Sequence, residues 1–191
     1  RVNDVPDTRD AETVRVIAQQ YAWNVHYPGP DGIFGATRID LVDEQDNPIG
    51  LDRSSEFAKD DFTTINQLHI PVNKKIRVDL SSKDVIHNFK LPELRVSQDA
   101  IPGMVIPVHF TATSTSEEFL KTAVGTKREG KGLEIACAQL CGLGHYRMKG
   151  YVTIHEEDDY QAWLDEQASY LEEEDGDDWG DDGDDWGDDD W

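Results

Sequence analysis

The sequence predicts an all-β fold, a Greek-key sandwich or barrel, with one short helix near its C-terminus. Short stretches that alternate between apolar and polar residues, such as residues 63–72, recur along the chain between turn residues. Helical spacing is found in residues 156–170, where Tyr160, Trp163 and Leu164 share one face and acidic residues crowd the first turn. Many short strands followed by one late helix are typical of two packed β-sheets.

The strands are predicted in the following order. Residues 13–27 hold one or two of them and lead into a turn-rich loop at 28–35, which an irregular charged stretch continues to residue 61. Two histidines that fall within later strands, His69 and His109, are interpreted as ordinary strand residues. The further strand segments are residues 63–72, 75–80, 104–113, 119–123, 133–136 and 151–155. Residues 85–89, which include His87, are expected to form a short strand or a loop.

Charge divides the chain into three parts. The formal charge is −22, and residues 171–191 hold thirteen acidic residues and no basic one. Like charge at this density cannot bury a core, so we expect a disordered tail, which either solubilises the protein or attracts a basic partner. Residues 1–12 are polar and are expected to form a linker, which leaves 13–170 as the folded domain. Because the domain is acidic as well, nucleic acid and anionic membrane surfaces are excluded as partners.

The chemistry of the chain is concentrated in residues 137–148. This stretch holds the only two cysteines, Cys137 and Cys141, together with His145 and Met148. Thiolate, imidazole and thioether are ligands that suit copper. A disulfide and a zinc site are the competing interpretations, but the disulfide would close a very short loop, and methionine is a poor zinc ligand. Cys141, His145 and Met148 alone would resemble a mononuclear blue copper loop, and Cys137 is the extra thiol that favours two metal ions.

Three segments, taken together, resemble one family. The spacing C-x3-C-x3-H-x2-M from Cys137 to Met148 is similar to the binuclear copper A loop of cytochrome c oxidase subunit II. The sequence Asp-Val-Ile-His-Asn-Phe at residues 84–89 resembles the segment that supplies the family's other histidine ligand. Residues 20–27 resemble its aromatic segment, and the likeness runs from about residue 13 to about residue 165.

The resemblance implies a cupredoxin-like fold that binds two copper ions. The implied ligands are the bridging thiolates Cys137 and Cys141, the imidazoles His87 and His145, and two weak ligands, the Met148 thioether and the Gln139 backbone carbonyl. Most members of the family carry Glu at position 139, whose carboxylate helps to hold a magnesium ion, so Gln139 leaves the magnesium role open. Tyr21 stands at the tryptophan through which electrons enter in the family, and Trp23 matches the next tryptophan.

The resemblance also implies the function. The chain is expected to be the electron-transfer domain of a haem–copper oxidase, a subunit of an enzyme that reduces oxygen. It would take single electrons from cytochrome c or a similar basic donor and pass them to the haem of subunit I on the periplasmic face of the membrane. Subunit II proteins carry transmembrane helices ahead of the copper domain, but this sequence has no apolar run of about 18 residues or more. An excised soluble domain, or a chain numbered from within a longer one, would account for a missing N-terminal anchor.

Three other protein classes share part of this pattern. Thioredoxin-like copper chaperones also use C-x3-C with a distant histidine, but their cysteines come early, beside a βαβ unit that is not visible here. The copper A domain of nitrous oxide reductase follows a large propeller domain, for which this chain has no room. Subunit II of quinol oxidases has the fold without the copper ligands. A C-x-x-C-H haem attachment is also absent from the sequence, so no fused cytochrome is expected.

Overall fold

The computed structural model describes residues 5–176, of which 172–176 are described by their backbone alone. Within that range, short 3-10 helices lie at Thr8–Asp10, Ile39–Leu41, Glu56–Ala58 and His145–Arg147. The strands are β1 (Glu12–Gln19), β2 (Ala22–Tyr27), β3 (Phe62–Ile65), β4 (Gln67–Pro71), β5 (Lys75–Ser82), β6 (His87–Leu91), β7 (Val96–Ala100), β8 (Ile106–Thr111), β9 (Leu133–Cys137) and β10 (Lys149–His155). The α-helices are α1 (Ser116–Ala123) and α2 (Glu157–Gly176).

The strands form two five-stranded sheets whose inner faces share one hydrophobic core. The first sheet has the order β3-β2-β1-β5-β8 and the second the order β4-β10-β9-β6-β7. Alternate residues of β5, namely Ile76, Val78 and Leu80, are 0% exposed because they point into this core. Each sheet contains one parallel pair, β1 with β5 and β4 with β10, because the chain crosses between the sheets. The predicted Greek-key sandwich is confirmed.

One segment that was assigned to the strands is helical. Residues 119–123 lie in α1, so that prediction was wrong. Thr115 accepts a hydrogen bond from the Glu118 backbone N–H, and the Glu118 carboxylate accepts one from the Thr115 N–H, which forms a capping box. The signal Thr-x-x-Glu is present in the sequence, but a window of five residues is too short to show a helical period.

Helix α2 continues beyond its predicted end. It was expected over 156–170, but it runs from Glu157 to Gly176, so the predicted boundary at residue 170 lies too early. The rest of the predicted tail, residues 177–191, and the first residues of the predicted linker, 1–4, lie outside the described range. Neither helix of the described part of the chain is long and apolar enough to cross a membrane.

Helix α2 packs at the side of the sandwich where β3 and β4 are the outermost strands. The Trp163 ring stacks on His69 of β4, with ring centroids 4.2 Å apart, and makes edge contacts with Tyr27 and Phe62. The Tyr27 hydroxyl accepts a hydrogen bond from the His69 backbone N–H (2.8 Å) and donates one to its carbonyl (3.2 Å). Tyr27 and Trp163 therefore cover an edge that would otherwise expose strand groups.

A long connection between β2 and β3 covers the outer face of the first sheet. Its residues Ile49, Leu51 and Ala58 are buried and pack against Ile17 of β1. The connection is irregular, as the sequence predicted, apart from two of the short 3-10 helices. It gives the first sheet a covered outer face in addition to the core face.

Candidate metal centre

The predicted ligand residues converge at one end of the second sheet. Cys137 is the last residue of β9, and β9 pairs with β6 so that Phe89 lies opposite Cys137. His87 is the first residue of β6 and therefore lies beside that end of β9. The loop that follows Cys137 returns to β10 at Lys149, which pairs with Ala136. Both ends of the ligand loop are thus fixed by strand pairing.

The six atoms predicted to bind metal each lie 3.1–3.9 Å from at least one other of the six. The two sulfur atoms of Cys137 and Cys141 are 3.8 Å apart. Cys137 Sγ lies 3.9 Å from His87 Nδ1 and 3.1 Å from the carbonyl oxygen of Gln139. Cys141 Sγ lies 3.6 Å from His145 Nδ1 and 3.7 Å from Met148 Sδ. Each predicted ligand is therefore next to one of the two cysteines.

The centre is largely withdrawn from solvent. His87, Met148 and Cys141 are buried, with exposures of 0%, 1% and 4%, whereas Cys137 and His145 are half-buried. Both cysteines are free thiols, so the disulfide interpretation does not describe this structure. Ligand atoms of His87, Cys137 and Cys141 all lie within 4.8 Å of one another, as a metal-binding group requires. Buried thiols, imidazoles and a thioether are a donor set that fits copper.

The orientation of His87 is set by Asp84. The Asp84 carboxylate lies 2.8 Å from His87 Nε2, which turns Nδ1 towards Cys137. The same carboxylate accepts hydrogen bonds from the backbone N–H groups of Gln20 (2.7 Å) and Val85 (2.6 Å). Burial disfavours its charge, but these hydrogen bonds outweigh it and lower the pKa of Asp84. The sequence placed Asp84 three residues before His87, yet gave no signal that it holds the ring.

The two thiols differ in acidity. Burial opposes ionisation of both thiols. At Cys137, hydrogen bonds with His87 and with the backbone at Asn88 and Gln139 outweigh the effect of burial and lower the pKa to about 6. At Cys141, burial and the nearby Cys137 raise the pKa to about 11. Without a cation, Cys137 therefore loses its proton more readily than Cys141. A metal ion that is bound by both thiolates must displace the second proton.

Two glycines allow the ligand loop to lie against Tyr21. A Cβ atom at Gly144 would lie 2.4 Å from Tyr21 Cδ2, and one at Gly142 would lie 2.6 Å from the Tyr21 hydroxyl. Gly142 also has a φ of +135°, which side-chain-bearing residues rarely adopt. Next to Tyr21, the Gln20 amide donates a 2.5 Å hydrogen bond to the carbonyl of Cys141. The aromatic segment thus supports the loop directly.

The residues predicted to receive electrons occupy different depths. Tyr21 is half-buried, and the Arg147 guanidinium lies 5.6 Å above its ring. Trp23 is 0% exposed and lies edge-on to His87 and to Phe89, at ring distances of 6.2 Å and 5.6 Å. Trp23 is therefore an inner neighbour of the centre, and only Tyr21 reaches the surface. Their role in electron transfer stays a prediction.

An apolar rim surrounds the centre, and no signal in the sequence analysis indicated it. Five residues around the ligands are exposed although they are apolar or aromatic: Val85 (38%), Ile86 (46%), Leu140 (77%), Leu143 (95%) and Tyr146 (81%). The side chain of Gln139 is exposed in the same loop. Exposed apolar patches of this kind mark contact surfaces for other proteins. The loop sequence alone did not distinguish these residues from core residues.

Comparison with known proteins agrees with the geometry. The family model described as "Cytochrome C oxidase subunit II, periplasmic domain" matches residues 12–154. The alternative cytochrome c oxidase subunit 2 of Bradyrhizobium diazoefficiens is 35% identical over 162 residues, which are 84% of this chain and 53% of that protein. Cytochrome c oxidase subunit 2 of Cereibacter sphaeroides is 29% identical over 162 residues, 81% of this chain and 48% of that protein. The chain spans about half the length of these curated relatives.

Two solved structures share the fold. The periplasmic domain of subunit II of the cytochrome oxidase of Bradyrhizobium japonicum superposes with a TM-score of 0.56 at 27% identity, covering 87% of this chain and 99% of that one. A mixed disulfide intermediate between a thioredoxin-like protein and subunit II of cytochrome c oxidase matches with a TM-score of 0.54 at 26% identity, covering 88% and 97%. These neighbours identify the sandwich as cupredoxin-like, as the resemblance implied.

Proposed function

The chain belongs to the family of periplasmic domains of cytochrome c oxidase subunit II, and on that premise we propose that it is the electron-transfer domain of a haem–copper oxidase. Copper at the centre would supply one-electron oxidation and reduction. Residues 13–170 would form the copper domain, and residues 1–12 would connect it to the rest of the protein. The oxygen chemistry would belong to the whole enzyme.

The donor set favours two copper ions over one. Cys137 and Cys141 would bridge them, with His87 beside the first thiol and His145 beside the second. The carbonyl of Gln139 and the thioether of Met148 would be the weak ligands, each next to a different cysteine. The observation that carries the proposal is this pairing: Cys137 has His87 Nδ1 at 3.9 Å and Gln139 O at 3.1 Å, and Cys141 has His145 Nδ1 at 3.6 Å and Met148 Sδ at 3.7 Å.

The protein contributes rigidity to electron transfer. Because β6, β9 and β10 hold the ends of the ligand segments, the donor atoms keep their positions when the charge of the centre changes. Burial keeps water away, so little solvent has to reorient around the changing charge. Neither feature requires a moving part.

The rim and the charge of the domain suggest the partners. The exposed side chains of Leu140, Leu143 and Tyr146 would meet an apolar surface close to the centre, either on the electron donor or on subunit I. A donor such as cytochrome c would be attracted by the acidic domain if its own surface is basic. Electrons would enter near Tyr21 and reach the centre beside Trp23, and they would leave for the haem of subunit I.

A thioredoxin-like reductant is a further proposed partner, because one structural neighbour is described as a mixed disulfide with such a protein. The two sulfur atoms, 3.8 Å apart, would need only a small movement to form a disulfide. A dithiol reductant would return that disulfide to two thiols and would itself become a disulfide. Cys137 is the more exposed of the pair and is where an incoming thiolate would attack.

The proposal is tested by adding copper to the reduced protein and recording the copper content, visible absorption and electron paramagnetic resonance. Two coppers per chain, a purple colour and the hyperfine pattern of an electron shared by two copper nuclei are expected. His87→Gln should abolish that pattern, whereas His109→Gln, a strand histidine outside the centre, should leave it intact. A blue centre with one copper would contradict the binuclear assignment. An absence of colour with oxidised thiols would contradict the electron-transfer function itself.

A further inference from the structure

A cavity lies on the outer face of the first sheet, away from the two cysteines. It has a volume of about 400 Å³, is partly open to solvent, and is lined by residues of β1, β2, β5 and the long β2–β3 connection. This volume is within the usual range of small-molecule sites. Its polar lining consists of Arg15, His26, Thr37, Asp79 and Ser81, and its apolar lining consists of Ile17, Ile49 and Val105.

Strand pairing places the polar groups in adjacent rows. Arg15 of β1 lies opposite His26 of β2 and opposite Asp79 of β5. One row further along the same face, Ile17 lies opposite Ser81. Thr37 is supplied by the connection that covers this face. Side chains two residues apart on a strand share a face, so Arg15 and Ile17 both point towards the cavity.

His26 has one ring nitrogen engaged and one without a partner. Its Nε2 lies 2.6 Å from the Asp61 carboxylate, and both side chains are 0% exposed. The other nitrogen, Nδ1, is buried and finds no hydrogen-bond partner among the described residues. In the tautomer that donates Nε2–H to Asp61, Nδ1 offers a lone pair and can accept a hydrogen bond. His26 is one of the residues that line the cavity, and an unpartnered buried nitrogen on such a residue points to a ligand or a water there.

Arg15 is a cation without a direct counter-ion. Among the residues that the structure describes, its guanidinium makes neither a hydrogen bond nor an ion pair, and it lies 4.1 Å above the Phe34 ring. Burial lowers its pKa, against the weaker influence of Asp79 and Asp61. The nearby Asp79 carboxylate is already held by Arg77 at 2.8 Å. The guanidinium therefore has free donors for a carboxylate.

We propose that this cavity binds a small carboxylate that carries a neighbouring hydroxyl group. The carboxylate would accept hydrogen bonds from Arg15, and the hydroxyl would donate to Nδ1 of His26. The carbon chain would contact Ile17, Ile49 and Val105. Thr37 and Ser81 provide hydroxyls for the remaining oxygen atoms.

The test compares two probes and two variants on the full copper-loaded chain. Lactate and propionate share a three-carbon chain and a carboxylate, but only lactate has the hydroxyl. We expect saturable lactate binding by calorimetry, and propionate binding about 10-fold weaker, since a hydrogen bond is lost. Arg15→Gln should weaken lactate binding by about 10- to 100-fold. Arg9→Gln, which changes an exposed arginine that does not line the cavity, should leave it unchanged.

A measurement on the unsubstituted protein tests the site without the risk that a substitution disturbs the fold. The imidazole nitrogen resonances of His26 should shift as lactate is added, and the shift should saturate together with the calorimetric signal. Equal binding of propionate and lactate would overturn the role of His26. Lactate binding that is the same in Arg15→Gln and Arg9→Gln, a His26 resonance that does not move, or no saturable binding would overturn the site.

Discussion

The Asp84 carboxylate lies 2.8 Å from Nε2 of His87, and this contact turns the other ring nitrogen towards Cys137. It joins the turn before β6 to the candidate metal centre and orients the ring of His87. Histidine ligands commonly have such a carboxylate partner, which also raises the basicity of the ring. The pKa of His87 follows that pattern: burial opposes the charged form, but Cys137 and Asp84 raise the pKa.

Asp84→Asn should weaken copper binding without abolishing the fold. The amide cannot hold the ring in the same way, so we expect copper affinity to fall by about 10- to 100-fold. Competition with a copper chelator measures the change. Asp40→Asn, an exposed aspartate paired with Arg38, is the matched control and should bind copper as the unsubstituted protein does. Unchanged affinity in both variants would show that Asp84 does not orient the ligand.

Met148→Leu should alter the reduction potential more than the copper content. Leu fills a similar volume in the buried site but has no sulfur, so the two thiolates and two imidazoles still bind. If the thioether favours the oxidised centre tenfold, its loss raises a one-electron potential by about 59 mV. Voltammetry measures this shift. Met104→Leu changes the other methionine, which is 52% exposed, and should leave the potential where it is.

Gly144→Ala should disturb the centre through sterics alone. The added methyl group would lie 2.4 Å from the Tyr21 ring, while the backbone at Gly144 does not have the left-handed conformation that would add strain. We expect a loss of stability of about 1–3 kcal/mol, as for other overpacked sites, together with a changed copper spectrum. Gly132→Ala is the control, because a Cβ there meets nothing within 4 Å. Similar denaturation curves and spectra for both variants would contradict the proposed contact between the loop and Tyr21.

The sequence predicted which residues converge at the candidate centre better than it predicted their surroundings. Thiol, imidazole and thioether at short fixed spacing define the loop, and His87 was found through the residues around it. Gln20 acts through contacts with Asp84 and Cys141, which lie in distant segments and are displayed by no local pattern. Asp84 lies only three residues before His87, but residue type and spacing do not show that its carboxylate holds the ring. The apolar rim was missed for a related reason: Leu143 is 95% exposed, but its residue type is typical of a core. The helical residues 119–123 were missed because the segment is too short to show a helical period.

The attachment of α2 should weaken as the pH falls. His69 and His155 lie with Nδ1 and Nε2 2.8 Å apart, which allows one hydrogen bond between neutral rings, and Trp163 stacks on His69. Burial lowers the pKa of both histidines; with His155 nearby, that of His69 falls to about 4. A lowered pKa means that the folded state binds fewer protons than the unfolded state. The stabilisation is therefore complete above the unfolded value of 6.5 and is lost as the pH falls from there towards 4.

Urea denaturation between pH 6.5 and 4 measures this loss of stability. His69→Gln removes one of the two titrating groups of this pair, so the free energy of unfolding should depend less steeply on pH between 6.5 and 4 than in the unsubstituted protein. The fluorescence of Trp163 should change over the same range as its stacked partner becomes charged. His109→Gln changes a strand histidine outside this pair and should keep the original slope. Equal slopes in all three proteins would mean that the contact between α2 and β4 does not depend on neutral histidines.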